Sequence, residues 1–200
     1  MLNGRVSFCL QPTNLYGPND NYDLANSHVL PAMIRKFHLA KLAQAGDVEG
    51  ILADEASYGG IPADIQLMIG FDAVDRKITP KTSVTLWGTG TPYREFLYVD
   101  DMAAASTFVM ELESAIYDAN TQPMLSHINI GTGEEVGINQ LAQLICQCVG
   151  YEGSLKFDSS IPDGTPRKTL ESSRLKVFNF KWTPVGLQAG LALAYNDFLG

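Results

Sequence analysis

Apolar residues recur at helical spacing in four stretches of the chain. They predict helices over 29–45, from Asp100 or Asp101 to about Tyr117, over 138–149 and over 187–199. The apolar face of the first helix is made of Leu30, Met33, Phe37 and Ala40. Pro31 fits this helix because the N–H groups of a first turn have no partners within the helix. The first helix is therefore expected to begin near His28.

Short apolar runs between these helices predict strands. The runs lie at 5–11, 84–87, 127–130 and 155–157. Residues 12–27 are predicted to form a loop, and a Gly-Gly-Ile-Pro turn at 59–62 is predicted to open a short helix through Ile65 and Ile69. The alternation of strands and helices indicates an α/β fold.

Composition narrows the classes of function. Of the 200 residues, 46% are apolar and 18% are charged, which implies a well-buried core. The formal net charge of −8 argues against binding to nucleic acid or to an anionic membrane, because both need a broad cationic surface. No apolar run is long enough to span a membrane and the first residues do not form a secretory signal, so a cytoplasmic protein is expected.

The cysteines and glycines argue against two kinds of site. Cys9, Cys146 and Cys148 have neither a disulfide framework nor zinc-ligand spacing, so no metal site is predicted, and Cys146 and Cys148 are expected to be small buried apolar side chains. A nicotinamide enzyme of this class needs a glycine-rich turn after its first strand. Gly88-Thr89-Gly90 and Gly131-Thr132-Gly133 lack the third glycine at the required spacing, and both are expected to be strand-to-loop turns.

The loop after the first strand is the strongest candidate for a ligand site. It begins Pro12-Thr13-Asn14-Leu15-Tyr16-Gly17-Pro18, and open α/β sheets bind ligands at the carboxyl ends of strands. His28 follows at the start of a helix. The positive end of the helix disfavours the imidazolium form of His28, and this makes the imidazolium a better proton donor. Arg35 and Lys36 follow roughly 10 Å along the helix, so an extended ligand at His28 would reach one of these positive side chains. From the residues alone, a helix cap or a satisfied core histidine is the favoured alternative for His28.

Four segments carry a resemblance to a known family. They are residues 12–38, WGTGTPYREFLYVDDMAAA at 87–105, HINIGTGEEVGINQLA at 127–142 and PDGTPRK at 162–168. They resemble the sugar-nucleotide-binding half of the GDP-L-fucose synthase family, which are extended short-chain dehydrogenases/reductases. The resemblance implies the C-terminal substrate-binding domain of that α/β fold, with a remnant of the Rossmann sheet. Residues 1–27 would end the dinucleotide-binding domain and 28–200 would bind the sugar nucleotide.

Residues 46–83 fall outside the shorter family pattern and are interpreted as an insertion. Such an insertion could cap the substrate cleft or be a surface addition, and the surface addition is favoured. The chain also lacks the Tyr-x-x-x-Lys pair that the family carries in its N-terminal half. We therefore expect the chain to be the C-terminal part of a longer protein, inactive by itself and homodimeric when full length.

The resemblance also implies an activity. The family epimerises GDP-4-keto-6-deoxy-D-mannose at C3 and C5 and reduces C4 with NADPH. The keto group acidifies the neighbouring carbons, so an enolate forms and needs a positioned proton donor. The resemblance assigns this role to His28, and places most of the NADP site in the absent half.

The resemblance assigns further residues to ligands. The NADP contacts are Pro12, Thr13, Asn14, Leu15 and His28. The substrate contacts are Lys36, Trp87, Arg94, Asp163 and Lys168, with Arg167 in the same cationic set and Arg35 in reserve. Lys36 stands where some relatives have Arg, which keeps the charge and loses the bidentate fork.

Structural alternatives remain open for several of these residues. They are a surface ion pair between Arg94 and Glu95, and core packing for Trp87. His38 is expected on the outer surface of its helix and His127 at a strand start, both in structural roles. Two other functions also remain open: a different nucleotide-sugar epimerase or dehydratase acting on a UDP- or dTDP-sugar, and a non-catalytic interaction or nucleotide-sensing module.

Overall fold

The computed structural model describes residues 9–81, 83–122 and 124–200. Helices in these residues are α1 (Val29–Ala45), α2 (Val48–Tyr58), α3 (Ala63–Ile69), α4 (Val99–Met110), α5 (Ser114–Asn120), α6 (Ile138–Val149), α7 (Ser173–Val177) and α8 (Leu187–Leu199). The strands are β1 (Cys9–Pro12), β2 (Asn14–Tyr16), β3 (Phe71–Asp72), β4 (Lys77–Ile78), β5 (Ser83–Trp87), β6 (Tyr93–Tyr98), β7 (His127–Ile130), β8 (Glu135–Gly137), β9 (Ser154–Asp158) and β10 (Arg167–Lys168).

The strands form short, mainly parallel sheets. Strand β6 lies at the centre of the largest, where it pairs in parallel with β2 and β10 and antiparallel with β8. Two further parallel pairs are β1 with β7 and β5 with β9, and β3 and β4 form an antiparallel hairpin. Parallel pairs joined through helices confirm the α/β class.

Three of the predicted long helices are confirmed. Helices α1, α6 and α8 have the predicted bounds, and α1 begins directly after His28. All four residues of the predicted α1 face are buried. The pattern succeeded here because an amphipathic helix shows its period locally, within the sequence of one element.

The prediction of one helix from Asp100 or Asp101 to about Tyr117 is wrong. The chain leaves the helix after Met110 and re-enters one at Ser114, and the N-cap of α4 is Tyr98. The Asp101 carboxylate instead accepts hydrogen bonds from Trp182 Nε1 (2.7 Å) and from the backbone N–H of Val185 (2.9 Å). A carboxylate committed to a distant segment is not free to cap its own helix.

The predicted strands are confirmed within about a residue at 84–87, 127–130 and 155–157. For the strand at 5–11, residues 5–8 lie outside the described residues, and β1 begins at Cys9. The predicted loop over 12–27 is wrong at Asn14–Tyr16, because these residues pair in parallel with Phe96–Tyr98 and become β2. A three-residue strand of this kind is extended by its neighbour and leaves no period in its own sequence.

The described residues form two apolar cores. The smaller one includes Leu97, Val109, Ile128 and Ile130, with Leu10 of β1 packed against it. The larger one lies around α1, α6 and α8 and takes five buried side chains from residues 46–83, namely Ile51, Ile61, Ile65, Ile69 and Phe71. This segment is thus part of the core, contrary to the favoured expectation of a surface addition. Its status as an insertion, and the domain boundary at residue 27, stay predictions.

The cysteine prediction holds only in part. Cys146 and Cys148 are half-buried against the larger core, and burial raises the pKa of both thiols. Cys9 is exposed. The described residues contain no cluster of three or more His, Cys, Asp or Glu side chains suited to a metal ion. None of the described helices is both long and apolar enough to cross a membrane.

His38 does not lie on the outer surface of α1, where we expected it. Its Nδ1 atom is 3.0 Å from the Tyr195 hydroxyl, and its ring meets the Phe198 ring edge to face at 5.0 Å. The residue is half-buried, and burial, aided by the charge of Lys41, lowers the pKa of the imidazole to about 4. The structural role expected for this side chain is consistent with these contacts.

The buried imidazole predicts a pH dependence of stability. Between pH about 6.5 and about 4 the unfolded chain binds a proton at His38 and the folded chain does not, so acid lowers the free energy of unfolding. The shift would correspond to about 3 kcal/mol for a fully buried group, and partial exposure reduces it to about 1–2 kcal/mol. Urea unfolding near pH 7.5 and 4.5 should show this loss. His38→Asn, which can still bond Tyr195, should lose less; an equal loss would contradict the assignment.

Candidate functional site

The candidate site lies where β5 ends and β6 begins. Trp87 is the last residue of β5, and its side chain is 65% exposed, which excludes core packing as its role. Gly88 and Gly90 follow with φ of 83° and 75°, in the left-handed region that favours glycine. This is the strand-to-loop turn predicted for these glycines, and it presents the indole at a strand end.

Lys36 and Trp87 line one cleft. The Lys36 ammonium lies 5.4 Å from the centre of the Trp87 ring, within the range of a cation–π contact. A cavity of about 340 Å³ opens beside them, and its lining includes Asp64, Met68, Lys81, Thr85 and Asp158. Burial lowers the pKa of Lys36, and the nearby Asp64 carboxylate opposes that shift. The cleft therefore combines a cation with an exposed aromatic ring.

Arg94, Asp163 and Lys168 lie close together beside this turn. The Asp163 carboxylate accepts hydrogen bonds from the backbone N–H of Thr89 at 2.9 Å and from its hydroxyl at 2.6 Å, and these bonds lower the pKa of Asp163. Arg94 Nη1 donates to the carbonyl oxygen of Thr165 at 2.8 Å. Lys168 stands opposite Arg94 in the pairing of β10 with β6. A phosphate near β6 would thus meet two positive side chains.

Of the two expected arginines beside this turn, Arg167 is engaged elsewhere and Arg94 is not. The Arg167 guanidinium forms an ion pair with Glu135 at 2.8 Å and lies 5.7 Å from the centre of the Tyr93 ring. The alternative ion pair between Arg94 and Glu95 is absent from the described residues, where Glu95 is buried and bonds other groups. Arg94 therefore keeps its charge unpaired within the part of the chain that is described.

Arg35 does not face the site. The expectation that it is a reserve member of the positive side chains that contact the substrate is therefore wrong. The side chain is fully buried, with Nε 2.8 Å from Asp54 Oδ1 and Nη1 donating to the carbonyls of Tyr22 (3.0 Å) and Tyr58 (2.8 Å). Asp54 belongs to α2, so the partner that draws Arg35 into the core comes from residues 46–83. Helix geometry alone could not distinguish Arg35 from Lys36, because the deciding partner is distant in sequence.

His28 is the exposed N-cap residue of α1. Its side chain makes no capping hydrogen bond, so the alternative role as a side-chain cap is not observed. Burial raises the pKa of the Asp20 carboxyl, and the backbone hydrogen bond at Asn21 and the charge of His28 oppose that shift. The lining of the Lys36–Trp87 cleft does not include His28. His28 therefore lies at the helix N-terminus outside that cleft, and its place in catalysis stays a prediction.

Residues 12–15 run from the last residue of β1 through the connecting residue Thr13 into β2. Thr13 donates its backbone N–H to the carbonyl of Ile130 (3.1 Å), and Asn14 Nδ2 donates to the carbonyl of Glu95 (2.7 Å). The Thr13 hydroxyl is buried and has no hydrogen-bond partner among the described residues. Pro12 and Leu15 flank this pair. The segment thus offers one unused polar group at a sheet edge.

Glu95 is the residue that the sequence analysis overlooked. Its side chain is buried, with 1% exposure, and it accepts hydrogen bonds from the backbone N–H groups of Gly133 (2.8 Å) and Leu170 (3.3 Å). A Cβ atom at Gly131 would collide with Glu95 Oε1, so the carboxylate needs glycine there. The available signal was an acidic residue within the apolar run of β6. The carboxylate thus links the turn that contains Gly133 to the segment directly after β10, the strand that contains Lys168.

This chain is similar to several known proteins. The NAD dependent epimerase/dehydratase family matches residues 71–131. GDP-L-fucose synthase from Escherichia coli (strain K12) is 45% identical over 196 residues, which cover 98% of this chain and 50% of that protein. The Arabidopsis thaliana GDP-L-fucose synthase 1 is 41% identical over 189 residues, covering 94% of this chain and 44% of the relative. The chain thus spans about half the length of the curated relatives it matches.

A solved structure is similar to this chain in its fold. The crystal structure of a GDP-6-OMe-4-keto-L-xylo-heptose reductase from Campylobacter jejuni superposes with a TM-score of 0.77 at 33% identity. The match covers 94% of this chain and 52% of that one. The sequence matches and the structural match therefore each extend over nearly all of this chain. The chain has the fold of the extended short-chain dehydrogenases/reductases and is similar to about half of a GDP-L-fucose synthase.

Proposed function

We propose that this chain is the GDP-sugar-binding portion of a GDP-L-fucose synthase. The observation that carries the proposal is the pairing of Lys36 with the exposed Trp87 ring in one cleft. Arg94 and Lys168 stand opposite each other nearby. Relatives named for GDP-linked sugars support GDP as the nucleotide.

Each side chain has a distinct task in binding. Guanidinium and ammonium groups bind phosphate oxygens by charge-assisted hydrogen bonds, so Arg94, Lys168 and Lys36 would hold the diphosphate or the sugar. Trp87 would pack against the ligand, because its ring face is exposed. Asp163, which is fixed by Thr89, would accept hydrogen bonds from sugar hydroxyls.

His28 would act as the general acid of the epimerisation. A 4-keto-6-deoxy hexose loses a proton at C3 or C5 to give an enolate, and a proton returned on the opposite face inverts the centre. The His28 imidazole is exposed, free of capping bonds and set at a helix N-terminus, which suits donation of that proton. Donation from Nδ1 or Nε2 to the carbon leaves a neutral ring.

The residues present fit one end of NADP. The buried, unpartnered Thr13 hydroxyl lies at the carboxyl end of β1, between Pro12 and Asn14, where this fold places ligands. Pro12, Thr13, Asn14 and Leu15, with His28, would therefore hold the nicotinamide end. NADPH supplies the hydride that reduces C4 of the sugar. The homodimer and the cytoplasmic location expected from the sequence stay predictions.

Calorimetry with GDP and UDP tests the proposal. The wild-type chain should bind GDP more tightly than UDP, and Lys36→Ala should weaken GDP binding about 10–100-fold, because it removes a charged partner of the phosphates. Lys77→Ala is the matched control, since Lys77 lies in the β3–β4 hairpin and does not line the cleft. Tighter binding of UDP than of GDP by the wild-type chain would overturn the assignment in favour of a UDP-sugar enzyme.

A further inference from the structure

The cleft beside Trp87 has two walls of different origin. One wall comes from α1 and β5, through Lys36, Thr85 and Trp87. The other comes from residues 46–83, through Asp64, Met68 and Lys81. The second wall closes the cavity, so the segment that the shorter family pattern lacks is the one that decides what fits there.

The second wall places an unused carboxylate near the aromatic ring. None of the hydrogen bonds or ion pairs among the described residues uses the Asp64 carboxylate, although its charge acts on Lys36. Asp158 lines the same cavity, but only one of its oxygens is without a hydrogen bond among the described residues, because Oδ1 accepts from the backbone N–H (3.0 Å) and the hydroxyl (2.6 Å) of Ser160. Asp64 therefore has both oxygens available for a ligand.

An aromatic ring beside a free carboxylate is suited to a base that carries neighbouring N–H donors. Bases stack on exposed indole rings whatever their identity, so Trp87 by itself selects none. Guanine has two adjacent donors, N1–H and the N2 amine, which match the two oxygens of a carboxylate. Uracil has a single N–H between two carbonyl oxygens, and those oxygens would face a negative charge.

We propose that Asp64 reads the base of the bound nucleotide and selects guanine over uracil. The inference rests on the proposed function, because it takes the cleft to be the nucleotide site, and it adds the residue that sets base specificity. Binding of guanine would join residues 46–83 to the nucleotide. That segment would therefore be a specificity wall of the cleft.

Calorimetry with Asp64→Asn tests the inference. The variant should bind GDP about tenfold more weakly than the wild-type chain, and should bind UDP more tightly because the negative charge that faces the uracil carbonyls is removed. Inosine 5′-diphosphate lacks the N2 amine, so the wild-type chain should bind it less tightly than GDP, and Asp64→Asn should remove that difference. Asp75→Asn, in the exposed hairpin of the same segment, should leave all three affinities unchanged. Circular dichroism and thermal unfolding check that both variants stay folded.

The outcomes separate the two proposals. An unchanged ratio of GDP to UDP affinity in Asp64→Asn overturns base reading. If Lys36→Ala still weakens both nucleotides in that case, the cleft remains the nucleotide site and only the role of Asp64 fails. If the wild-type chain binds neither nucleotide, or if Lys36→Ala changes neither affinity, the proposed function and the role of Asp64 fail together.

Discussion

Replacing Asp54 by alanine is expected to lower the free energy of unfolding by about 3–5 kcal/mol. The Arg35 guanidinium is fully buried, and its Nε lies 2.8 Å from Asp54 Oδ1. Removing the carboxylate would leave that charge in the core without its counter-ion. Urea unfolding monitored by circular dichroism measures the change. Asp75→Ala, which removes an exposed carboxylate from the same segment, should change the free energy of unfolding by less than about 0.5 kcal/mol.

A double variant shows whether the charge itself causes the loss. Asp54→Leu combined with Arg35→Met removes both charges and keeps apolar volume, so it should recover most of the stability. The carbonyls of Tyr22 and Tyr58 would lose their donor, which makes the recovery incomplete. A loss below about 1 kcal/mol in Asp54→Ala would show that the pair contributes little, and would contradict the importance given to it.

Replacing Glu95 by alanine is expected to cost about 2–4 kcal/mol of unfolding free energy. The change would leave the backbone N–H groups of the exposed Gly133 and the half-buried Leu170 without their acceptor, and would open a cavity where the buried Glu95 side chain lies. Chemical denaturation gives the measurement. Glu134→Ala provides the control, because Glu134 is an exposed neighbour on the same loop.

A conservative variant at position 95 tests the geometry of the carboxylate. Glu95→Gln keeps the size and one acceptor oxygen but turns an N–H₂ group toward one of the two donors. It should lie between wild type and Glu95→Ala in stability. Equal stability of Glu95→Ala and wild type would show that the loops carrying Gly133 and Leu170 are held by other contacts.

Much of the fold could be predicted because the sequence of each main helix shows which face of that helix is buried. The apolar positions of α1 and α6 repeat with the helical period, and their bounds agree with the structure. Strands β2, β8 and β10 could not be found in this way. Each has two or three residues and pairs with β6, so its extended form depends on a neighbour far along the chain.

The candidate site could be predicted only in part. The strand-end position of Trp87 and the N-cap position of His28 follow from local patterns, and the structure has both. The fate of Arg35 and the role of Glu95 depend on partners 19 to 75 residues away, which no local period reveals. The proximity of Arg94 to Lys168 was available only from the family resemblance, and their contact with substrate stays a prediction.

The chain contains two tryptophans, and they occupy unlike surroundings. Trp87 is largely solvent-exposed beside the Lys36 ammonium, whereas the indole N–H of Trp182 is bonded to Asp101 and its ring packs with the smaller core. Indole emission depends on solvent contact and on nearby charge. The fluorescence of Trp87 should therefore respond to what enters the cleft. The fluorescence of Trp182 should respond to unfolding of the smaller core.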